Sequence, residues 1–505
     1  MADTKREIER KYEGPAAGGG AGLPDLTDVP GVGSVIGKGV DELDATYYDT
    51  ADQLLAAAAI TLRHRTGGHD EGWHLKLPVA DGVRDEIHAP LSDTVPAALT
   101  SLVRSRVRDA ALVPLVRLRS SRDVRHLVDD SGGLLAEVSV DRVRAERLGG
   151  KGAAQWTEIE VELADGGDPA FLDKVEKKLR KAGLHRSASP SKLARALAET
   201  GAVAARPAGE PPAAKPVTAG DHVLAYAREQ RDALVELDPA VRRDLPDAVH
   251  GMRIATRRLR NTLRSFDNVL DRTVTDPIRT ELKWLAGELA GDRDQEVITK
   301  RLAAALDDLP RTLRSGPVRK RLRTWSRERH SGSRQRLTEA LDSRRHLYLL
   351  AALDALVSDP PLRKAAGGKP GKVLGAAVRK DLDRLSRLVA RATGLPPGRD
   401  RDLALHEARK KAKRTRYAAE AAAPALGKRA EATTRAMKSL TKLLGDHQDS
   451  VMSRDALRDL AEQAQAAGES SFTFGVLYGR EERRAAADED ALPRAWRRAV
   501  RGAAS

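Results

Sequence analysis

Glu7-Ile8-Glu9-Arg10-Lys11, close to the start of the chain, reads E-x-E-x-K. Side chains of a strand alternate between its two faces, so in a strand Glu7, Glu9 and Lys11 share one face. Two carboxylates and an ammonium do not suit an apolar core. They suit a site that holds a divalent cation and a phosphate together, provided the rest of the chain builds one.

Further strand-like runs carry charge at alternate positions. Arg63 and Arg65 flank His64, Lys76 lies between Leu75 and Leu77, and Arg84 and Glu86 flank Asp85. Arg117 and Arg119 alternate with Val116 and Leu118, Glu137 and Asp141 with Val138 and Val140, and Glu158, Glu160 and Glu162 with Ile159, Val161 and Leu163. For any single strand this is the ordinary pattern of ionic residues facing water and apolar ones facing a core. Taken jointly, the charged residues sort into a carboxylate group and an Arg/Lys group. A closed antiparallel barrel with a polar interior and an apolar outer face, wrapped by helices, brings them together. Interior charges of both signs are tolerable only when paired, hydrated or bound to ligand.

In order and spacing, Glu7 to Lys11, Tyr47-Tyr48-Asp49-Thr50, TLRHR at 61–65, GWHLKLP at 72–78, Glu158-Ile159-Glu160 and Ser191-Lys192 resemble the CYTH family of triphosphate tunnel metalloenzymes. The resemblance covers about residues 1–200. It implies an eight-stranded antiparallel tunnel barrel with flanking helices, which hydrolyses or cyclises a triphosphate with Mg2+ or Mn2+. Carried over by motif, Glu7, Glu9, Glu158 and Glu160 bind metal. Lys11, Arg63, Arg65, Lys76, Arg117, Arg119 and Lys192 bind phosphate oxygens, Arg as a fork and Lys as a point charge. Arg84 is added to the phosphate set, and Glu7, Glu9 and Lys11 are expected at the catalytic centre. Glu86, Glu137, Asp141 and Glu162 are expected to line the tunnel. His64 and His74 are expected to face packing or solvent. The implied mechanism orients the triphosphate with one metal and the basic residues, while a second metal or a glutamate activates water.

The chain has 505 residues, enough for two or more domains, and only 3% aromatic residues, so its cores rest on Leu, Val, Ala and Ile. It has no Cys, which excludes disulfides and thiolate metal sites. No apolar run approaches the roughly 18 residues of a membrane span, and no signal-peptide core follows the N-terminus. A cytoplasmic protein without a membrane partner is expected. Charge is uneven: residues 1–200 hold 28 Lys and Arg against 32 Asp and Glu, and the remainder holds 60 against 41. A basic half implies a polyanionic partner, or an Arg-rich set of solvated helices.

GAVAARPAGEPPAAKPVTAG, at 201–220, lacks periodic apolar residues and reads as an extended Ala/Pro-rich linker, placed at 201–218. GPAAGGGAG, at 14–22, reads as a flexible loop after the first strand. Beyond the linker the sequence is helical in period, with a helical domain expected over 219–500. Two of its segments match: His250, Arg253, Arg257, Arg258 and Arg260 align with His406, Arg409, Lys413, Arg414 and Arg416. Downstream, the segment 289–294 aligns with 443–449, and Arg293 stands where the second copy has His447. His250, Arg253, Arg257, Arg260 and Arg264 are spaced i, i+3, i+7, i+10 and i+14, a continuous helix stripe. Like charges along one stripe cost helix stability, and an anion lying along it relieves that cost.

The duplicated H-x-x-R-x-x-x-[KR]-[KR]-x-R resembles the CHAD family of conserved-histidine α-helical domains over roughly 219–500. That resemblance implies two pseudo-symmetric four-helix bundles that bind inorganic polyphosphate. The expected contacts are His250, Arg253, Arg257, Arg260, Arg264, His406, Arg409, Lys413, Arg416 and His447. The expected whole is an inorganic triphosphatase whose helical domain recruits polyphosphate, associated with polyphosphate granules. Thiamine triphosphatase and adenylate cyclase activity in the same tunnel are rivals. So is a non-catalytic, polyphosphate-binding granule protein. Nucleic acid is not expected, because scarce aromatics argue against single-strand stacking, although charge alone leaves duplex backbone binding open.

Overall fold

The computed structural model describes residues 3–14, 23–201, 215–330 and 332–504, without the side chains of 3, 291–296, 329, 330, 333 and 504. The loop expected over 14–22 and most of the linker expected over 201–218 fall outside these residues. The chain divides near residue 210 into two compact units.

The first unit is a closed antiparallel barrel. Its strands are β1 (Asp3–Glu13), β2 (Ser34–Asp49), β3 (Thr61–Thr66), β4 (Gly72–Ala80), β5 (Val83–Ala89), β6 (Val113–Val128), β7 (Leu134–Arg147) and β8 (Ala153–Leu163). The sheet runs β5-β4-β3-β2-β6-β7-β8-β1, and β1 pairs back onto β5 to close it. A short β9 (His185–Arg186) extends the end of β1. The strand β1 serves both seams: Glu7 stands opposite Arg84 of β5, and Lys11 opposite Glu160 of β8.

Helices α1 (Ala97–Val107), α2 (Ala170–Lys181) and α3 (Lys192–Glu199) complete the unit. The period-2 pattern explains how they sit. Tyr12, Val138, Ile159 and Val161 point outward and bury against Phe171, Val175 and Leu179 of α2. Trp73, Leu75 and Ile87 do the same against Leu99 and Val103 of α1. Inside, Val116, Leu118, Ala145 and Trp156 pack on Leu193, Ala196 and Leu197 of α3. The remaining interior is largely ionic.

The second unit has eleven α-helices among the described residues. They are α4 (Ala219–Arg242), α5 (Ala248–Ser265), α6 (Arg272–Glu288), α7 (Gly291–Asp307), α8 (Val318–His330) and α9 (Ser333–Asp342), followed by α10 (Arg344–Ser358), α11 (Pro370–Gly394), α12 (Arg399–Leu426), α13 (Lys428–Ala466) and α14 (Phe472–Ala504). Thr218 and Asp221 form a capping box that starts α4.

Three apolar clusters hold these helices. The first joins α4, α5, α6, α9 and α10 with parts of α11 and α12, through Met252, Leu259, Phe266, Leu282, Leu353 and Leu374. The second joins α11 to α14 through Leu385, Leu405, Met437 and Leu492. The third packs α7 and α8 on α13 and α14, through Leu302, Trp325, Leu460 and Phe474. The repeat is therefore imperfect. Segment 443–449 runs unbroken within α13, whereas its counterpart breaks between α6 and α7.

Candidate functional site

The barrel encloses a cavity of about 650 Å3 whose lining is dominated by charged side chains. Alternation along β1 turns Glu7, Glu9 and Lys11 inward, and all three line it. Arg63 and Arg65 of β3, Lys76 of β4, Arg84 of β5 and Lys192 at the start of α3 line it as well.

Two ionic groupings meet this space, the second only through Glu160, Lys192, Arg122, Lys11 and Glu9, with Asp141 and Glu158 behind its lining. In one, Lys76 Nζ lies 2.5 Å from Glu7 Oε2 and 3.6 Å from Glu86 Oε1. Burial pushes the Glu7 carboxyl up to about 8 against the pull of Lys76, and Glu86 raises it further. Glu86 is half-buried, but Lys76, His74 and Arg63 hold it well below the usual carboxylate range. His74 Nδ1 lies 2.9 Å from Glu86 Oε1, and its Nε2 faces the Asp70 carbonyl at 2.8 Å. The imidazole thus lines the cavity, contrary to the sequence expectation, because it shares the inward phase of Lys76 on β4. His64 has the opposite phase and packs edge-on against Trp73.

In the other grouping, Asp141, Glu158 and Glu160 are buried, with carboxylate oxygens within 4.8 Å of one another. Lys192 Nζ sits 2.9, 2.8 and 2.7 Å from them in that order. Ser191 caps α3 and makes Lys192 its first residue. A cation there opposes the helix dipole, and the three carboxylates offset that cost. Arg122 reaches Asp141 with Nε at 2.7 Å and Glu160 with Nη2 at 2.8 Å. Lys11 pairs with Glu160 and lies 3.3 Å from Glu9. Trp156 Nε1 donates to Glu158 at 2.6 Å, behind the cavity wall.

The four carboxylates expected to bind metal therefore do not form one set. Glu158 and Glu160 join Asp141, Glu9 is linked to them through Lys11, and Glu7 stands apart with Lys76 and Glu86. The triad fits a hard divalent cation: three buried oxygen donors already surround a positive charge, supplied by Lys192.

Arg63, Arg65 and Arg122 converge in the cavity. Burial, then the fields of Arg63 and Arg122, push the Arg65 guanidinium down to about 9. Such a concentration of like charge favours an anion. Arg117 and Arg119 do not take part. Both point away from the interior, where Arg117 forks Asp44 at 2.5–3.1 Å and Arg119 lies 3.7 Å from it. The inward residues of β6 are Val116, Leu118, Ser120 and then Arg122, so one face is apolar beneath α3 and ionic beyond it. Following that phase down the strand finds Arg122. The alternation of Glu137 and Asp141 likewise marks Asp141.

In the second unit, α5 packs against α12 and brings the two basic stripes together. Lys413 is pushed down to about 7, first by burial and then by the guanidiniums of Arg409, Arg257, Arg253 and Arg416. Farther along α5, burial and the charges of Arg279 and Arg264 lower Arg260. His250 is exposed on α5, and His406 Nδ1 lies 2.5 Å from Gln448 Oε1. Glu420 tempers the surface, meeting Arg258 and Arg416 at 3.1 Å each.

His447 lies elsewhere. It is 2% exposed, with Nε2 3.2 Å from Glu489 and 3.4 Å from Asp402. Despite burial, those two carboxylates raise its pKa. Clasped by two carboxylates, the ring ties α13 to α12 and α14, and its Nε2 is engaged by acidic partners rather than by an anion-binding stripe. Sequence alignment alone could not separate it from the basic stripes. The side chain of Arg293, its counterpart, lies outside the described residues.

Comparison with known proteins agrees with this geometry. The CYTH domain model matches residues 5–197 and the CHAD domain model residues 225–458. Two uncharacterized proteins of Mycobacterium tuberculosis, MT2285 and Rv2226, are each 38% identical over 492 residues, which are 94% of this chain and 92% of theirs. Among solved structures, PptA from Streptomyces chartreusis is 23% identical and covers 56% of this chain and 100% of its own, with a TM-score of 0.49. The CYTH match points to phosphoryl-transfer or hydrolase chemistry with a divalent metal. The chain belongs to the proteins in which a CYTH domain is followed by a CHAD domain.

Proposed function

We propose that the barrel hydrolyses inorganic triphosphate with Mg2+ or Mn2+, and that the helical unit binds inorganic polyphosphate. The observation that carries this reading is the convergence of Arg63, Arg65 and Arg122 in one cavity, with Glu160 of the buried carboxylate triad in its lining. Phosphoryl transfer asks for positioning and charge neutralisation more than for covalent chemistry, and this residue set offers both.

Arg63, Arg65 and Arg122 hold oxygens of the phosphate chain, with Lys11, Lys76, Arg84 and Lys192 around them. Asp141, Glu158 and Glu160, with Glu9 beside them, hold the cation, which when bound neutralises phosphate oxygens. Glu7, pushed up to about 8, accepts the proton released by the attacking water. Among the described residues of the lining, Tyr47 and four His are the only rings, and the aliphatic Leu43, Val124, Leu134 and Leu163 are far outnumbered by charged side chains. That favours a substrate made of phosphate alone over thiamine triphosphate or ATP.

On the helical unit, Arg253, Arg257, Arg409, Lys413 and Arg416 form the polyphosphate contact, with His250, Arg260, Arg264 and His406 flanking it. No helix among the described residues is long and apolar enough to cross a membrane. A cytoplasmic protein recruited to polyphosphate granules is consistent with that surface.

The test is phosphate release from triphosphate, longer polyphosphates, ATP and thiamine triphosphate, each with Mg2+ and with Mn2+. Triphosphate is expected to give the highest kcat/KM. Faster turnover of ATP or thiamine triphosphate would reassign the tunnel.

A further inference from the structure

The loop between β3 and β4, residues 67–71, is held against the barrel by close backbone contacts. Gly67 and Gly68 have φ of +82° and +81°. A Cβ on Gly67 would lie 2.0 Å from the Glu42 carbonyl oxygen, and one on Gly68 would lie 2.8 Å from Leu43 Cδ2. Only glycine permits that approach to β2. Three further contacts fix the loop: Gly67 N donates to Glu71 Oε1 at 2.6 Å, His74 Nε2 meets the Asp70 carbonyl at 2.8 Å, and His88 Nε2 meets the Glu71 carbonyl at 3.1 Å.

The result is an unusual ion pair. Asp70, with a side chain 55% exposed, places its carboxylate on Nη2 of Arg65, which is only 4% exposed. Gly68, His69 and Asp70 all contribute to the cavity lining. A carboxylate and a phosphate compete for the same guanidinium edge. An anion entering to meet Arg65 must displace Asp70 or bear its repulsion.

We infer that Asp70 is an affinity-setting gate: a built-in anion that occupies Arg65 until a highly charged phosphate chain displaces it. The inference rests on the proposed use of the barrel as a triphosphate site. Triphosphate gains several charge-assisted contacts and offsets the loss of the Arg65–Asp70 pair. Pyrophosphate and orthophosphate make fewer contacts and are held out. Because the pair exists in the free protein and is lost on binding, its removal strengthens ground-state and transition-state binding alike. The effect then falls on KM rather than kcat.

The experiment compares full-length wild type, Asp70→Asn and Asp70→Glu in triphosphate turnover and in inhibition by pyrophosphate. Circular dichroism and thermal unfolding check each fold. For Asp70→Asn, a half-exposed pair predicts a KM lower by about two- to five-fold, with pyrophosphate inhibition strengthened at least as much. Asp70→Glu keeps the anion and is expected to stay near wild type. An unchanged or raised KM in folded Asp70→Asn overturns the gate, as does Asp70→Glu behaving like Asp70→Asn. If wild type neither binds nor hydrolyses triphosphate, it is the functional reading that fails; if wild type is active and Asp70→Asn matches it, the gate alone fails.

Discussion

Lys192 Nζ lies 2.7 Å from Glu160 Oε1, deep in the barrel, and the same ammonium meets Asp141 and Glu158. One covalently tethered cation thus neutralises three buried carboxylates where a metal ion is proposed. Burial lowers the Lys192 pKa, but Asp141, Glu158 and Glu160 outweigh it and keep the ammonium charged. Removing it leaves buried negative charge without compensation. Lys192→Gln is expected to lose about 3–5 kcal/mol of stability. Mn2+ or Mg2+ should restore part of that loss, and should raise the unfolding temperature of the variant more than that of wild type. Denaturant titration with and without metal reads both effects. A variant that loses stability and ignores both metals would argue against a cation site at the triad.

The phase of β6 gives a paired test. Arg122 enters the cavity, and Arg117 forks Asp44 on the other face of the same strand. Arg65→Ala and Arg122→Ala are expected to lower triphosphate kcat/KM by about 100-fold or more, the scale of losing one preorganised charge contact. Arg117→Ala should stay within a few-fold of wild type. Steady-state kinetics on the three purified variants decide it, and a large loss in Arg117→Ala alone would reverse the assignment of faces.

Those faces mark what the sequence could and could not tell. E-x-E-x-K placed Glu7, Glu9 and Lys11 together because strand alternation is local and β1 carries no bulge among these residues. The barrel followed from many strands sharing one ionic face. The same rule misplaced Arg117 and Arg119. It assumed that a face is wholly apolar or wholly ionic, and α3 makes one face of β6 both. The basic stripes of α5 and α12 were legible from helix spacing, since i, i+3 and i+7 need only one helix. His447 was not, because its partners Asp402 and Glu489 come from different helices. Asp70 was invisible for the same reason: its place depends on glycines pressing a loop onto β2.

Glu7 sets a pH limit. Burial, opposed by Lys76, brings its carboxyl to about 8 in the cation-free protein. A base works only when ionised, so activity should fall as pH drops below the working pKa. A bound divalent cation lowers that pKa, so the acid limb of kcat/KM should lie below 8 at saturating metal. Glu7→Gln should lose about 100- to 10,000-fold in rate and flatten that limb. A full acid limb persisting in Glu7→Gln would assign the proton to another group.

Lys413 should make polyphosphate binding depend on pH in the opposite sense. Burial and the guanidiniums of Arg409, Arg257, Arg253 and Arg416 bring its ammonium to about 7, far below the ordinary lysine value. Near pH 6 it is charged and ready for an anion. Above 7 the free protein has lost that proton, and a bound polyanion must draw it back from solvent. The dissociation constant should therefore rise with pH above about 7, by at most tenfold per unit, until the pKa of the bound state is passed. Proton uptake at pH 8 should appear as a buffer-dependent heat in titration calorimetry. Lys413→Met should flatten the profile, and Arg257→Ala combined with Lys413→Ala should weaken binding and lower its salt dependence. The same linkage acts on folding. The folded pKa lies below the unfolded one, so the charged lysine costs stability below pH 7, and that cost is relieved as pH rises from 7 toward the unfolded value. Bound polyphosphate supplies the missing counter-charge, so it should raise the unfolding temperature more at pH 6 than at pH 9. Equal shifts at the two pH values would mean that the polyanion does not meet Lys413.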